Sequence, residues 1–474
     1  MQNELSERAK TTLLVVLIMG CFLSTLNQTL LNVALSNLMD VFQVDAATIQ
    51  WLSTGFMLVN GVLVPITAFL MKRFTTRQLF ISSMGFLLIG SMVCGSAMNF
   101  GLLLTGRMIQ AVGAGIIVPL MMTVILYLYP AEKRGAVMGK IGFAMIFAPA
   151  IAPTLSGFLI EYFSWRWLFI GLVPFVMVVI LLANKYLMNV AETTKVKLDM
   201  FSILLSTIGF GSILFGFSSA GSKGWDDVTV LTTTIIGMII TSLFCIRQIK
   251  SKDPLLNLTV FKYKIFTLTS IINVVITVIM YADLILLPMY LQNGRGFTAL
   301  EAGLLLLPGA VINAFLSPVT GKMFDKYGAK PLFITGLVFI IISIWGVLDL
   351  TSSTTFLYLM IRTIILRIGL SFITMPLNTA GLNALPRELG SHGSAVNNTV
   401  RQLAGAIGTA VVMTIYSIQS TAHATTLETQ QVVHENIRQL SSILSTNDAY
   451  LVMLVFAIVG LVVACFMPRV QKIQ

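Results

Sequence analysis

The sequence predicts an all-α, polytopic membrane protein, and three observations carry that reading. First, the 474 residues are 56% hydrophobic and only 10% charged, with a mean hydropathy of +0.90. A soluble domain must show polar groups over roughly half of its surface and has nowhere to put this much apolar side chain. Second, the apolar residues come in runs of about 20, the length a helix needs to cross a hydrocarbon core of about 30 Å. Third, the runs lack the period-two alternation of a membrane barrel, and lipid tolerates only helices or closed barrels as spanning structures.

Fourteen runs follow one another. The first, 11–35, carries Asn27, Gln28 and Asn32 and has no small-residue cleavage site, so it reads as a retained helix and not a signal peptide. Runs 47–70, 79–98, 101–128, 137–160 and 166–188 follow it across short polar turns. Runs 199–219 and 228–247 flank the polar turn Gly224-Trp225-Asp226-Asp227. A basic linker at 248–264 then leads into runs 265–291, 300–321, 331–350, 354–378, 396–418 and 449–467. The polar stretch 419–448, with Gln430, Gln431, His434, Glu435 and Arg438, is expected as a loop. It is either solvated and mobile or carries a short surface helix at 426–444.

Basic residues orient the chain. With the N-terminus in the cytoplasm, 22 of the 30 Lys and Arg fall in inside loops and tails and 4 fall outside. Arg107, Arg362, Arg367 and Arg401 lie within the runs. This bias follows the positive-inside rule and places both termini in the cytoplasm of a multi-pass cell-membrane protein. The net charge of +11 therefore belongs to short loops beside anionic lipid and does not indicate a nucleic-acid partner. Cys21, Cys94, Cys245 and Cys465 show neither metal-ligand spacing nor a disulfide framework. No catalytic constellation accompanies His392, His423 and His434, so an enzyme, a metal site and a cofactor are not expected.

Residues 321–330 read Gly-Lys-Met-Phe-Asp-Lys-Tyr-Gly-Ala-Lys between two apolar runs. A worn copy, with Lys72, Arg73 and Arg77, lies 253 residues earlier at 68–77. A repeat at that distance suggests two related halves, each with a charged cytoplasmic hinge.

These features resemble the fourteen-helix drug:proton antiporter branch of the major facilitator superfamily, along nearly the whole chain. Gly321, Asp325, Lys326, Gly328 and Lys330 match its signature loop. Arg107, Gln110, Gly113 and Gly115 match the pattern of its fourth helix. Ala148, Pro149, Ala152, Pro153, Ser156 and Gly157 resemble the antiporter motif, and Trp165, Arg166, Trp167 and Phe169 open the sixth run in the family's manner. Leu26, Thr29, Asn32, Val33, Ala34 and Leu35 match the first-helix signature. Two positions depart from the family. Asn27 and Lys72 stand where aspartates are usual, so Asn27 has no proton to carry and Lys72 accepts no hydrogen bond.

The resemblance implies a major facilitator fold: a six-helix bundle at 1–188, an inserted helix pair at 189–250, and a second bundle at 251–474 with an extracellular loop at about 419–448. It implies proton-coupled efflux of amphipathic drugs or toxic compounds by alternating access, with no cofactor, by a monomer in the lipid bilayer. Two alternatives stand beside it: a dedicated exporter of an endogenous lipid, peptide or metabolite, and a membrane receptor or scaffold that does not transport. Gly321, Asp325, Lys326, Gly328, Lys330, Arg73 and Arg77 would form the gate. Pro149, Pro153 and Gly157 would form a pivot in the fifth run, where small residues let backbones approach and prolines bend the helix. The inserted pair is the 199–219 and 228–247 runs, and binding is expected near the midplane between bundles.

Asp283 is the one acid of 19 well inside a run. A charged carboxylate there costs several kcal/mol, so such groups usually face a cavity and act. It reads as a binder of cations, a proton carrier, or both in competition. The other reading is a structural pair with Arg362 or Arg367, which are five apart and so expected on different faces. Arg107 is a possible charge partner, and Arg401 is expected to snorkel at a helix end. Thr25, Gln28 and Asn32 fall on one face of the first run. With Asn27, Asn60, Gln110, Asn273 and Asn313 they are the candidates for lining a cavity, against apolar walls such as Met121, Met122, Phe143 and Phe147.

Overall fold

Helices follow one another in the order of the apolar runs. The structure is a computed structural model and describes residues 7–44, 46–49, 51–190, 199–251, 253–297, 299–429 and 434–468. Lys195, Lys197, Gln430, Gln431, Arg469 and Lys472 lie outside the described residues, as do the side chains of Asn32, Pro153, His434, Glu435 and Arg438. In the first half the helices are α1 (Glu7–Phe42), α2 (Trp51–Arg73), α3 (Thr76–Gly95), α4 (Phe100–Leu128), α5 (Ala131–Tyr162) and α6 (Val173–Tyr186). A short turn, Trp167–Ile170, precedes α6 and completes its span. The central pair is α7 (Met200–Lys223) and α8 (Val228–Lys250). The second half holds α9 (Lys264–Met289), α10 (Ala299–Tyr327), α11 (Ala329–Trp345), α12 (Phe356–Asn383), α13 (Gly390–Thr429) and α14 (His434–Cys465). Among the described residues, thirteen helices are long and apolar enough to cross a membrane, and Ala329–Trp345 is a shorter apolar helix. Together they make an even number, which sets the start of α1 and the end of α14 on one face, called the terminus face below.

Local chemistry sets the breaks. Thr75 and Gln78 form a reciprocal capping box that starts α3, and Asn99, Asp227 and Thr355 cap α4, α8 and α12 with their side chains. Between α10 and α11 the chain turns on Gly328 alone, at φ +79°, a left-handed conformation that a side chain would strain.

Two expectations about loops change. Most of the stretch 419–448 is helix: α13 runs to Thr429 and α14 begins at His434. Its Ser, Thr, Gln and Ala residues are too polar to register as a span yet form helix once an apolar segment has nucleated it. The segment 321–330 is likewise the last turns of α10, one glycine, and the start of α11.

Each half has its own core. Leu13, Leu17, Phe80, Met84, Met121 and Met138 are buried together in the first half, and Ile279, Leu286, Phe333, Leu366, Tyr450 and Met453 in the second. The pair α7–α8 zips through small residues, with Gly209 against Thr241 and Gly216 against Thr234. It lies over one seam between the halves. Trp51 of α2 stacks on Phe215 at 5.5 Å, while Phe217 packs with Ala410 of α13 and the Trp225 indole donates to the Thr414 hydroxyl. Leu231, Ile235, Ile239 and Leu243 of α8 point outward, as lipid contact requires.

The halves also meet where α5 lies along α10. A Cβ on Gly321 would fall 2.2 Å from the Gly135 carbonyl oxygen, and one on Gly139 would fall 2.6 Å from that of Ser317. Only glycine permits so close an approach.

Candidate functional site

Asp283 sits in a charged knot inside the second half. Arg362 Nη1 donates to its Oδ1 at 2.9 Å, and the Tyr450 hydroxyl of α14 donates to the same oxygen at 3.0 Å. Arg367 Nη2 lies 3.9 Å from Oδ2. The Arg362 guanidinium stacks over the Tyr450 ring at 4.7 Å. Asp283 and Arg362 are 1% and 3% exposed. Residues five apart on a helix point about 140° apart, yet both arginines converge on one acid. Their long arms bend around α12 and reach the same carboxylate from different faces.

The first half holds an equivalent node. Arg107 Nη1 donates to Asn27 Oδ1 at 3.1 Å, to the Asn27 carbonyl at 3.3 Å and to Gln110 Oε1 at 3.0 Å. Its Nε reaches the Leu52 carbonyl at 3.4 Å, and its guanidinium lies over the Phe56 ring at 4.4 Å. Asn27 precedes Asp283 by 256 residues and Arg107 precedes Arg362 by 255. The same two positions of each repeat thus hold an acid–arginine pair in one half and an amide–arginine pair in the other.

Other amides sort themselves by packing. Gln110 is fully buried between α3 and α4, donating to Ser91 Oγ at 2.9 Å. Asn60 is buried beside Gly115. Thr25 donates back to the Cys21 carbonyl at 2.9 Å, and Gln28 is half-buried. Asn273 donates to Asn397 Oδ1 at 2.8 Å, and Asn397 donates to Asn378, so an amide chain links α9, α13 and α12. Asn313 is buried with Oδ1 unpartnered. The sequence reading missed Tyr450, Asn378 and Asn397. The asparagines carried a signal, being amides in apolar spans; Tyr450 carried none. Arg401 bonds Asn398 Oδ1 at 2.7 Å. It lies more than two turns into α13, because that helix starts at Gly390, so the expected helix-end position is corrected.

At the terminus face the halves are tied together. Asp325 of α10 accepts from the Gly135 N–H at 2.8 Å and the Ala136 N–H at 2.7 Å with its two oxygens. Arg134 bridges from Leu126 and Tyr129 carbonyls to Asn383 Oδ1, the last at 2.6 Å. Ser317 donates to the Gly139 carbonyl at 3.1 Å and Ser394 to the Pro119 carbonyl at 3.2 Å. Nearer mid-depth, Phe143 meets Phe315 edge-on at 5.4 Å. Lys330 donates to the Cys465 carbonyl at 2.6 Å, and Lys326 lies over Tyr327. In the first half Arg77 grips Asn184 while Arg73 is exposed. Lys72, in the place of Asp325, is partly buried, and the charge of Asp253 in the α8–α9 linker acts on it. On α5 the glycines Gly135, Gly139 and Gly142 make the close contacts with α10 and α12, while a Cβ at Gly157 would meet open space.

A family model described as Major Facilitator Superfamily matches residues 17–409. The chain belongs to the major facilitator superfamily. Relatives within it run nearly end to end. An uncharacterized MFS-type transporter, YhcA of Bacillus subtilis (strain 168), is 44% identical over 99% of this chain and 95% of its own length. The lincomycin resistance protein LmrB of the same organism is 43% identical, covering 97% and 96%. Among solved structures, the human organic anion transporter MFSD10 superposes with a TM-score of 0.66 at 13% identity, over 94% of this chain and 99% of its own. At that identity the likeness shows the major facilitator fold alone.

Proposed function

We propose that this transporter exports amphipathic drugs or other toxic small molecules across the cytoplasmic membrane in exchange for protons. The contrast between the two equivalent nodes carries the reading: Asn27 has nothing to titrate, and Asp283 is a buried carboxylate between two arginines and a tyrosine. Relatives named for lincomycin resistance support drugs as the substrate class. The bundles at 1–188 and 251–474 rock as monomeric halves of one pump, with the 189–250 pair riding on the seam. Binding lies between them near the midplane. In the conformation described, the terminus-face ties are made. Breaking them opens the path to that side.

Reconstituted protein tests the reading. An imposed pH gradient is expected to drive lincomycin movement in proteoliposomes, and a protonophore to stop it. Gradient-independent movement, or none for a panel of amphipathic cations, would remove the antiport proposal.

The terminus face is proposed to be cytoplasmic, from the 22-to-4 split of basic residues. Cys465 is exposed on it and Asp226 is exposed on the opposite face. An impermeant maleimide added to intact cells is expected to label Asp226→Cys in a Cys465→Ser background and to spare Cys465 in the parent. The reverse pattern would invert the topology.

A further inference from the structure

A stripe of orphaned polar atoms leads inward from Asp283. On α12, Thr363, Arg367, Ser371 and Met375 recur every fourth residue, about 6 Å apart along the axis. On α10, Gly309, Asn313 and Ser317 do the same. The two stripes face each other: Gly309 lies against Thr363 and Arg367, and Ser317 and Met375 both press on Gly142 of α5. Thr363, Ser371 and Asn313 are 0%, 2% and 7% exposed. Thr363 Oγ1, Arg367 Nε, Ser371 Oγ, Asn313 Oδ1 and Asp283 Oδ2 have no hydrogen-bond partner among the described residues. Other hydroxyls of α12 behave differently. Thr374 and Thr379 donate to the carbonyls of Leu370 and Met375, one turn back.

Native interiors rarely leave one buried polar group unpaired, and five along one path need a common answer. The chemistry of the set selects it. Arg367 Nε only donates, Asn313 Oδ1 and Asp283 Oδ2 only accept, and the hydroxyls do either. An anion would satisfy the donors alone and a metal cation the acceptors alone. Water satisfies both, and a spacing of about 6 Å suits one water between successive side chains.

We propose that this stripe binds a chain of water that carries protons between Asp283 and the seam between the halves, and that Ser317 and Met375 close its inner end against Gly142. The proposal rests on Asp283 as the coupling acid. Because α5 supplies Gly142, rocking α5 away from α10 uncovers the inner end. Access to Asp283 then switches with the halves, without the acid itself having to cross the protein.

The double variant Thr363→Val, Ser371→Ala removes both hydroxyls without adding bulk. In proteoliposomes its pH-driven lincomycin export is expected to fall about ten-fold or more, a loss typical of a removed proton-transfer group. Counterflow of labelled against unlabelled lincomycin at equal pH, which moves no net proton, is expected to be unchanged. Thr363→Ser with Ser371→Thr should keep both. Unchanged pH-driven export in the hydroxyl-free variant overturns the water chain, and so does an equal loss of export and counterflow, since the stripe then merely packs the helices. Asp283→Asn run alongside separates the two ideas. If it keeps pH-driven export, the coupling acid is wrong. If it loses export while the hydroxyl-free variant keeps it, only the water chain fails.

Discussion

Asp283→Asn is expected to abolish pH-driven export, to hurt cationic substrates more than neutral ones, and to lower thermal stability while leaving the protein folded. The amide keeps an oxygen where Oδ1 accepts from Arg362 and Tyr450. It loses the charge that balances Arg362 and Arg367, and it can turn an N–H toward Arg367. Removing one partner of a buried ion pair typically costs about 3–5 kcal/mol, because the other charge stays behind unpaired. The first half shows the remedy. Arg107 persists there beside Asn27 because four oxygens and the Phe56 ring receive it, and among the described residues no second arginine competes. Asp283→Asn combined with Arg367→Gln copies that composition. It is therefore expected to regain the lost stability, measured by thermal unfolding in detergent, and to remain uncoupled. Full proton-coupled export by Asp283→Asn would move the coupling site elsewhere, with the exposed Glu161 and Glu301 at the far helix ends as the next carboxylates to test.

The fold was legible because lipid writes its demand directly into composition: each run of apolar residues is a crossing, and the order of runs is the order of helices. Helix ends were less legible. Thr421–Thr429 continues α13 beyond the apolar run, where hydropathy is silent and the helix is extended from the segment that nucleated it. In the site, Asp283 stood out from sequence because an acid inside a span is rare, and so did its arginine neighbours. The convergence of both arginines and Tyr450 on it did not, since two helices, α12 and α14, must first pack around α9. Gln110 reads from sequence as a cavity-lining amide, and in the structure it packs against Gly90 and donates to Ser91, while Asn60 presents its backbone to Gly115. The equivalence of Asn27 and Asp283 was hidden for a chemical reason. One half has exchanged acid for amide, and only the shared arginine geometry makes the pair recognisable.

Asp325→Asn is expected to cut the maximal transport rate while leaving substrate affinity within a few-fold. Both carboxylate oxygens of Asp325 are in use, accepting from Gly135 and Ala136 near the start of α5, where the helix dipole favours negative charge. An amide offers one acceptor and turns an N–H against the other N–H. Hydrogen bonds to charged groups contribute about 1.5–3 kcal/mol each, so losing one weakens the sealed terminus face by on the order of 2 kcal/mol. Every 1.4 kcal/mol is about ten-fold in an equilibrium, so the ratio of open to sealed molecules rises by more than about ten-fold. The pocket at mid-depth keeps its residues, so binding changes only through the shifted population. The return step slows, and the rate falls with it. Lys72 cannot take over, since an ammonium offers no acceptor to a backbone N–H. Ser394, 1% exposed while the halves are closed, reports the shift. As Ser394→Cys it is expected to react slowly with a maleimide in the parent and much faster once Asp325→Asn is added. Unchanged transport together with unchanged labelling would mean that Arg134 and the glycine contacts of α5 hold the terminus face without Asp325.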